Sequence, residues 1–62
     1  MKGTIKLKLP FEPGITMEER IETLMMWSKS MVRAEDVTVL ETQHFSNMSF
    51  IVIRNPRSRN HF

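Results

Sequence analysis

The sequence predicts an α+β fold in the order β-α-β-β, with one helix packed on a three-stranded, largely antiparallel sheet. Three observations carry this expectation. The stretch 16–32, TMEERIETLMMWSKSMV, repeats its apolar residues at helical spacing behind a capping signature. The segment 3–9, GTIKLKL, alternates apolar and basic residues with the period of a half-buried strand. After residue 36, two β-rich runs flank a short polar turn, the mark of a hairpin. A domain of about 60 residues buries only about 60% of the surface its unfolded chain exposes, so one helix on one small sheet is what the 62 residues can build.

In the first strand Ile5, Leu7 and Leu9 form the apolar face, and Lys6 and Lys8 the other. Those lysines either meet an anionic partner or guard an edge against unwanted pairing. Pro10 lacks a ladder donor and is expected to end or cap the strand. The connector FEPGI, 11–15, follows, with Pro13-Gly14 marking a turn. Thr16 and Glu19 have the spacing of a capping box. Ile15 sits where a hydrophobic staple begins, but its usual partner position is Arg20, which offers only an aliphatic stem.

Within the helix, Met17, Ile21, Leu24, Met25, Ser28, Met31 and Val32 share the face expected to meet the sheet. Glu18, Glu22, Lys29 and Ser30 lie mostly away from it. Trp27 falls on the border of that face, at turn spacing from Arg20 and Met31, and Met26 points nearly opposite. The helix ends at Arg33-Ala34-Glu35-Asp36 without a glycine cap.

The second strand, 37–43, reads VTVLETQ; Val37, Val39 and Glu41 share one face, Thr38, Leu40 and Thr42 the other. The turn is centred on Ser46-Asn47. The third strand runs from about Met48 to Arg54, and its centre, Phe50-Ile51-Val52-Ile53, is apolar on both faces, which places it in the middle of the sheet between strands one and two. The expected core is Ile5, Leu7, Leu9, Ile21, Leu24, Met25, Met31, Leu40, Ile51 and Ile53, with Ser28 letting helix and sheet approach closely. Phe50 and Val52 then lie with Val39 on the uncovered face, an apolar strip that a homodimer or a partner would bury. Residues 1–54 read as one domain and 55–62, NPRSRNHF, as a basic, flexible tail.

The composition excludes several functions. There is no cysteine, hence no disulfide and no thiolate metal site. His44 and His61 have no ligand partner at metal-site spacing. Neither a P-loop nor a dinucleotide fingerprint is present, and no cofactor is implied. His44, Ser46, Ser49 and Glu41 are the only neighbours with the residue types of a triad, a density any turn provides. The chain is therefore expected not to be an enzyme. It has no apolar run of membrane-spanning length and no signal-peptide core, so a cytoplasmic location is expected. The net charge of +2 biases it only weakly toward anionic partners.

What remains is binding. Trp27, Met26 and Arg20 on the helix shoulder, with Phe50 and Val52 on the open sheet face, are the expected contacts with a larger host or cognate protein. Many small accessory proteins, phage-encoded modulators of host enzymes among them, share this size and element pattern, a comparison of class that transfers no site. The alternative is a small nucleic-acid-binding protein using Lys6, Lys8, Arg54, Arg57 and Arg59 around Phe50. A third reading is a self-associating structural protein.

Overall fold

The computed structural model describes residues 3–56. Strand β1 covers Thr4–Pro10, helix α1 Met17–Val32, strand β2 Val39–His44 and strand β3 Met48–Arg54. The sheet is antiparallel in the order β1-β3-β2, with one helix packed on it, an α+β fold as expected. The doubly apolar strand β3 takes the centre because it alone has apolar residues for both sheet faces. Of the segment 55–62, Asn55 and Pro56 are described; Asn55 N–H donates to Gly3 O at 2.8 Å, so pairing continues one residue past β3. Arg57, Arg59 and His61 lie outside the described residues.

β1 and β3 pair without interruption from Thr4↔Arg54 to Pro10↔Met48. The flanking bonds, Asn55 N–H to Gly3 O and Phe11 N–H to Asn47 O at 2.9 Å, show which β1 residues exchange bonds with β3. In an antiparallel ladder these alternate, so Ile5, Leu7 and Leu9 bond inward while Thr4, Lys6, Lys8 and Pro10 turn their backbone groups to the outer edge, which is free among the described residues. This explains how Pro10 can be the last residue of β1, the end it is expected to mark: its missing donor falls where β3 needs none.

Helix α1 starts as its sequence predicts. Thr16 is extended (φ −70°, ψ 160°), and its Oγ1 accepts from Glu19 N–H at 3.2 Å. The helix lies over β1 and β3. Its buried residues, Arg20, Leu24, Ser28 and Val32, form a single row at four-residue spacing. A helix that meets a sheet along one such ridge leaves the neighbouring rows only partly covered. Ile21 (38% exposed) and Met31 (57% exposed) are therefore surface residues, a correction to the expected core, while Val32 belongs to it. The buried apolar core is Leu7, Leu24, Val32, Ile51 and Ile53, with Ile5, Leu9, Phe11, Met25, Trp27, Ala34 and Val37 packed around it. Ser28 is fully buried, and its hydroxyl donates to Leu24 O at 2.7 Å.

Strand β2 departs from strict alternation. Val39 pairs with Ile53 and Glu41 with Val52, leaving Leu40 as the extra residue of a bulge. The bulge moves Val39 onto the register of Ile53, not onto the open face with Phe50 and Val52. Leu40, expected in the core, is exposed at this edge.

Candidate functional site

The end of the molecule where the chain enters α1 is built around Arg20, which is only 4% exposed. Arg20 Nε donates to Ile15 O (3.2 Å) and Nη2 to Glu12 O (3.1 Å), both in the connector before the helix. Nη2 also donates to Ser46 O (2.9 Å), and Nη1 to Phe45 O, Met48 O (3.4 Å) and Ser49 Oγ (3.0 Å), across the β2–β3 turn. A guanidinium offers five N–H donors in a planar fork, and here all face acceptors. Among the described residues no carboxylate pairs with it; carbonyl dipoles from two loops and one hydroxyl surround the cation, and the Phe11 ring lies 5.3 Å from its carbon. Its spacing from Trp27 predicts that Arg20 belongs to the helix shoulder. The structure corrects that: the side chain turns inward and clamps the connector to the turn, so it is not a surface for a partner.

His44 and Ser49 do meet, His44 Nδ1 and Ser49 Oγ being 2.9 Å apart. Ser49 is fully buried and bonded to Arg20, and a hydroxyl so enclosed cannot reach a substrate. Among the described residues no group of three or more His, Cys, Asp or Glu side chains could hold a metal, and no helix is long and apolar enough to cross a membrane.

Trp27 and Met26 occupy different ground. With Leu9, Thr23 and Ser30 they line a groove of about 550 Å³ between the helix and β1. Met26 is 73% exposed, and Trp27 is half-buried against the core edge. The indole N–H of Trp27 makes no bond among the described residues and is not sealed from water. Helical spacing marks Met26 and Trp27; Thr23 and Ser30 flank them on the same helix, and Leu9 joins only because β1 lies beside that flank of α1, a fact of tertiary placement.

The uncovered sheet face carries Lys6 and Lys8 from β1, Phe50, Val52 and Arg54 from β3, and Glu41 and Gln43 from β2. Lys6 Nζ stands 4.2 Å from the centroid of Phe50, a cation–π contact. Phe45, an exposed turn residue that the sequence did not single out, lies with its ring centroid 6.3 Å from that of Phe50. Gln43 Nε2 donates to Glu41 Oε2 at 2.8 Å. The face is thus mixed: three cations and one carboxylate around two aromatic rings, with Phe50 and Val52 half-buried. No protein-family model, no curated protein and no solved structure matches this chain.

Proposed function

We propose that this chain is a small non-enzymatic protein-binding module, a modulator of a larger enzyme or complex, that grips its partner at the groove between α1 and β1. One observation carries the reading: Trp27 and Met26 line the same apolar groove, and nothing else among the described residues fills it. A tryptophan offers large contact area for little rotamer entropy, and its N–H, unbonded among the described residues, supplies a directional bond. Methionine beside it adapts to an irregular surface. Trp27→Ala should weaken partner binding by more than ~2 kcal/mol, the usual threshold of a hot spot, and Met26→Ala by less. The measurement is a titration of the partner, captured with the parent protein in the presence of nuclease, against each folded variant. Unchanged affinity of Trp27→Ala would remove the groove from the reading.

A second reading stands on the open face, where Lys6, Lys8 and Arg54 share one surface with Phe50. Single-strand binders combine such a cationic surface with aromatic platforms. Against it, Lys6 already covers the Phe50 ring and Glu41 opposes the cations. Nucleic-acid binding through this face would fall steeply with salt and vanish in Lys6→Glu/Lys8→Glu, and nuclease would release whatever the protein captures.

A further inference from the structure

We propose that the free edge of β1 accepts an extended acidic peptide segment as a fourth strand, with acidic side chains opposite Lys6 and Lys8 and an apolar side chain in the Trp27–Met26 groove. The proposal rests on the protein-binding reading and names the chemistry of the partner.

The two edges of the sheet differ. β2 is blunted by the bulge at Leu40, which interrupts its pairing pattern and bends the strand away from regular extension. β1 is seven residues long and unbroken, and both its ends are tied by the bonds of Gly3 and Phe11 to the chain beside β3. Its outward groups are the N–H and C=O of Thr4, Lys6 and Lys8 and the C=O of Pro10, a ladder with alternate donors and acceptors in place. Such an edge binds an added strand through the main chain and reads it through alternate side chains.

The side chains specify which strand. A residue that exchanges backbone bonds with Lys6 or Lys8 lies directly opposite it, with Cα atoms about 5.5 Å apart, and its side chain shares the open face with the ammonium. Neither ammonium pairs with a carboxylate among the described residues. Acidic residues at alternate positions of the incoming strand answer both. A second copy of β1 does not: antiparallel pairing about Lys6 or Leu7 sets lysine against lysine. The intervening residues of the added strand turn to the helix side. The one opposite Leu9 meets the groove lined by Leu9, Thr23, Met26, Trp27 and Ser30, which is apolar and open on that flank. Edge, charge and groove therefore select one pattern, acidic and apolar residues in alternation.

The test uses the full chain and a displayed library of random peptides of about ten residues, enough to span the seven-residue strand. Selection should enrich peptides that alternate acidic with apolar residues. In hydrogen exchange, a selected peptide should slow the amides of Thr4, Lys6 and Lys8, while those of Ile5, Leu7 and Leu9, already bonded to β3, stay slow throughout as an internal control. Lys6→Glu/Lys8→Glu should lose about tenfold or more in affinity for that peptide, and recover it for the same peptide with lysine at the acidic positions. Enriched peptides that depend on Trp27 but leave the Thr4, Lys6 and Lys8 amides fast would overturn the edge while sparing the protein-binding reading. Enrichment of no peptide overturns the edge. Protection of those amides by a single-stranded oligonucleotide and by no peptide overturns both.

Discussion

Helix α1 carries an arginine near each end, and the two ends use it in opposite ways. Near the start, the side chain of Arg20 is everything: it leaves the helix, enters the gap between the connector and the β2–β3 turn, and bonds carbonyls of both. At the finish, Arg33 is exposed and its backbone is what matters. It adopts the left-handed conformation (φ 56°, ψ 48°), its N–H donates to Ser30 O at 3.3 Å, and Ala34 N–H closes onto Lys29 O at 3.1 Å. That is a Schellman closure with arginine where glycine usually sits. Loops that converge on a helix end leave carbonyls needing donors, and a long cationic fork supplies them. Where the helix simply stops, the chain must reverse with its own peptide groups.

The largest effect expected from this contrast is at Arg20. Hydrogen bonds to a charged group contribute roughly 1.5–3 kcal/mol each, and losing Arg20 removes the common donor of five carbonyls and the Ser49 hydroxyl at once, so a cost of roughly 3–5 kcal/mol is expected even with water reaching the exposed loop residues. A domain of this size holds only about 3–9 kcal/mol in total, from 0.05–0.15 kcal/mol per residue. Arg20→Leu should therefore leave much of the chain unfolded at 25 °C. Arg20→Lys should rescue little, since a single ammonium cannot span the planar set of acceptors on two loops. Circular dichroism through a denaturant titration measures both. A lysine variant with the parent's midpoint would mean that the carbonyls need only a charge nearby, not a fork.

The middle of the helix tests whether contact along a single ridge is real. Ile51 is fully buried beneath that ridge, whereas Met31 lies one row away in water. Ile51→Ala should cost roughly 2–4 kcal/mol through lost burial and a residual cavity. Met31→Ala should stay within about 0.5 kcal/mol of the parent. Comparable losses at the two sites would restore the broad helix face that periodicity suggests.

These sites also mark what the sequence makes legible. The element order, the helix start at Thr16 and the central place of β3 follow from local signals: a capping pair, alternation, and an apolar run with two faces to fill. The open-face position of Lys6, Lys8, Phe50 and Val52 follows from the same period of two. The burial of Arg20 does not, because a charged residue on a helix border is ordinarily solvated. Its trace was there in combination: Arg20 stands in the four-residue row with Leu24, Ser28 and Val32, and Ser49 alternates with Ile51 and Ile53, so a polar residue on each element faces the same interior. The bulge at Leu40 has no comparable signature, since Val39 and Leu40 are both apolar and either could be the residue left out of register. The groove at Trp27 needed to be seen beside β1 before its other walls could be named.

An effect smaller than those at Arg20 and Ile51 has the opposite sign, and it isolates the backbone end of the comparison. An L-residue held at positive φ brings its Cβ close to the following carbonyl, and glycine avoids that contact. Arg33 is the one non-glycine residue at positive φ among those described, and its side chain is exposed. Arg33→Gly should then relieve strain without removing a packed group, raising stability by up to about 1 kcal/mol. Part of that gain is offset by the greater freedom glycine has in the unfolded chain and by losing a cation near the helix C-terminus, where the macrodipole favours positive charge. Arg33→Ala separates these contributions, because it removes the charge and keeps the Cβ. Alanine should be neutral or slightly destabilising, and glycine should exceed it by roughly 1 kcal/mol in matched denaturant titrations. Equal midpoints for glycine and alanine would show that the reversal after Val32 is held by the Lys29 and Ser30 carbonyl bonds without a conformational penalty. A loss in both, with the parent most stable, would place the guanidinium itself in the closure and make the two ends of the helix alike.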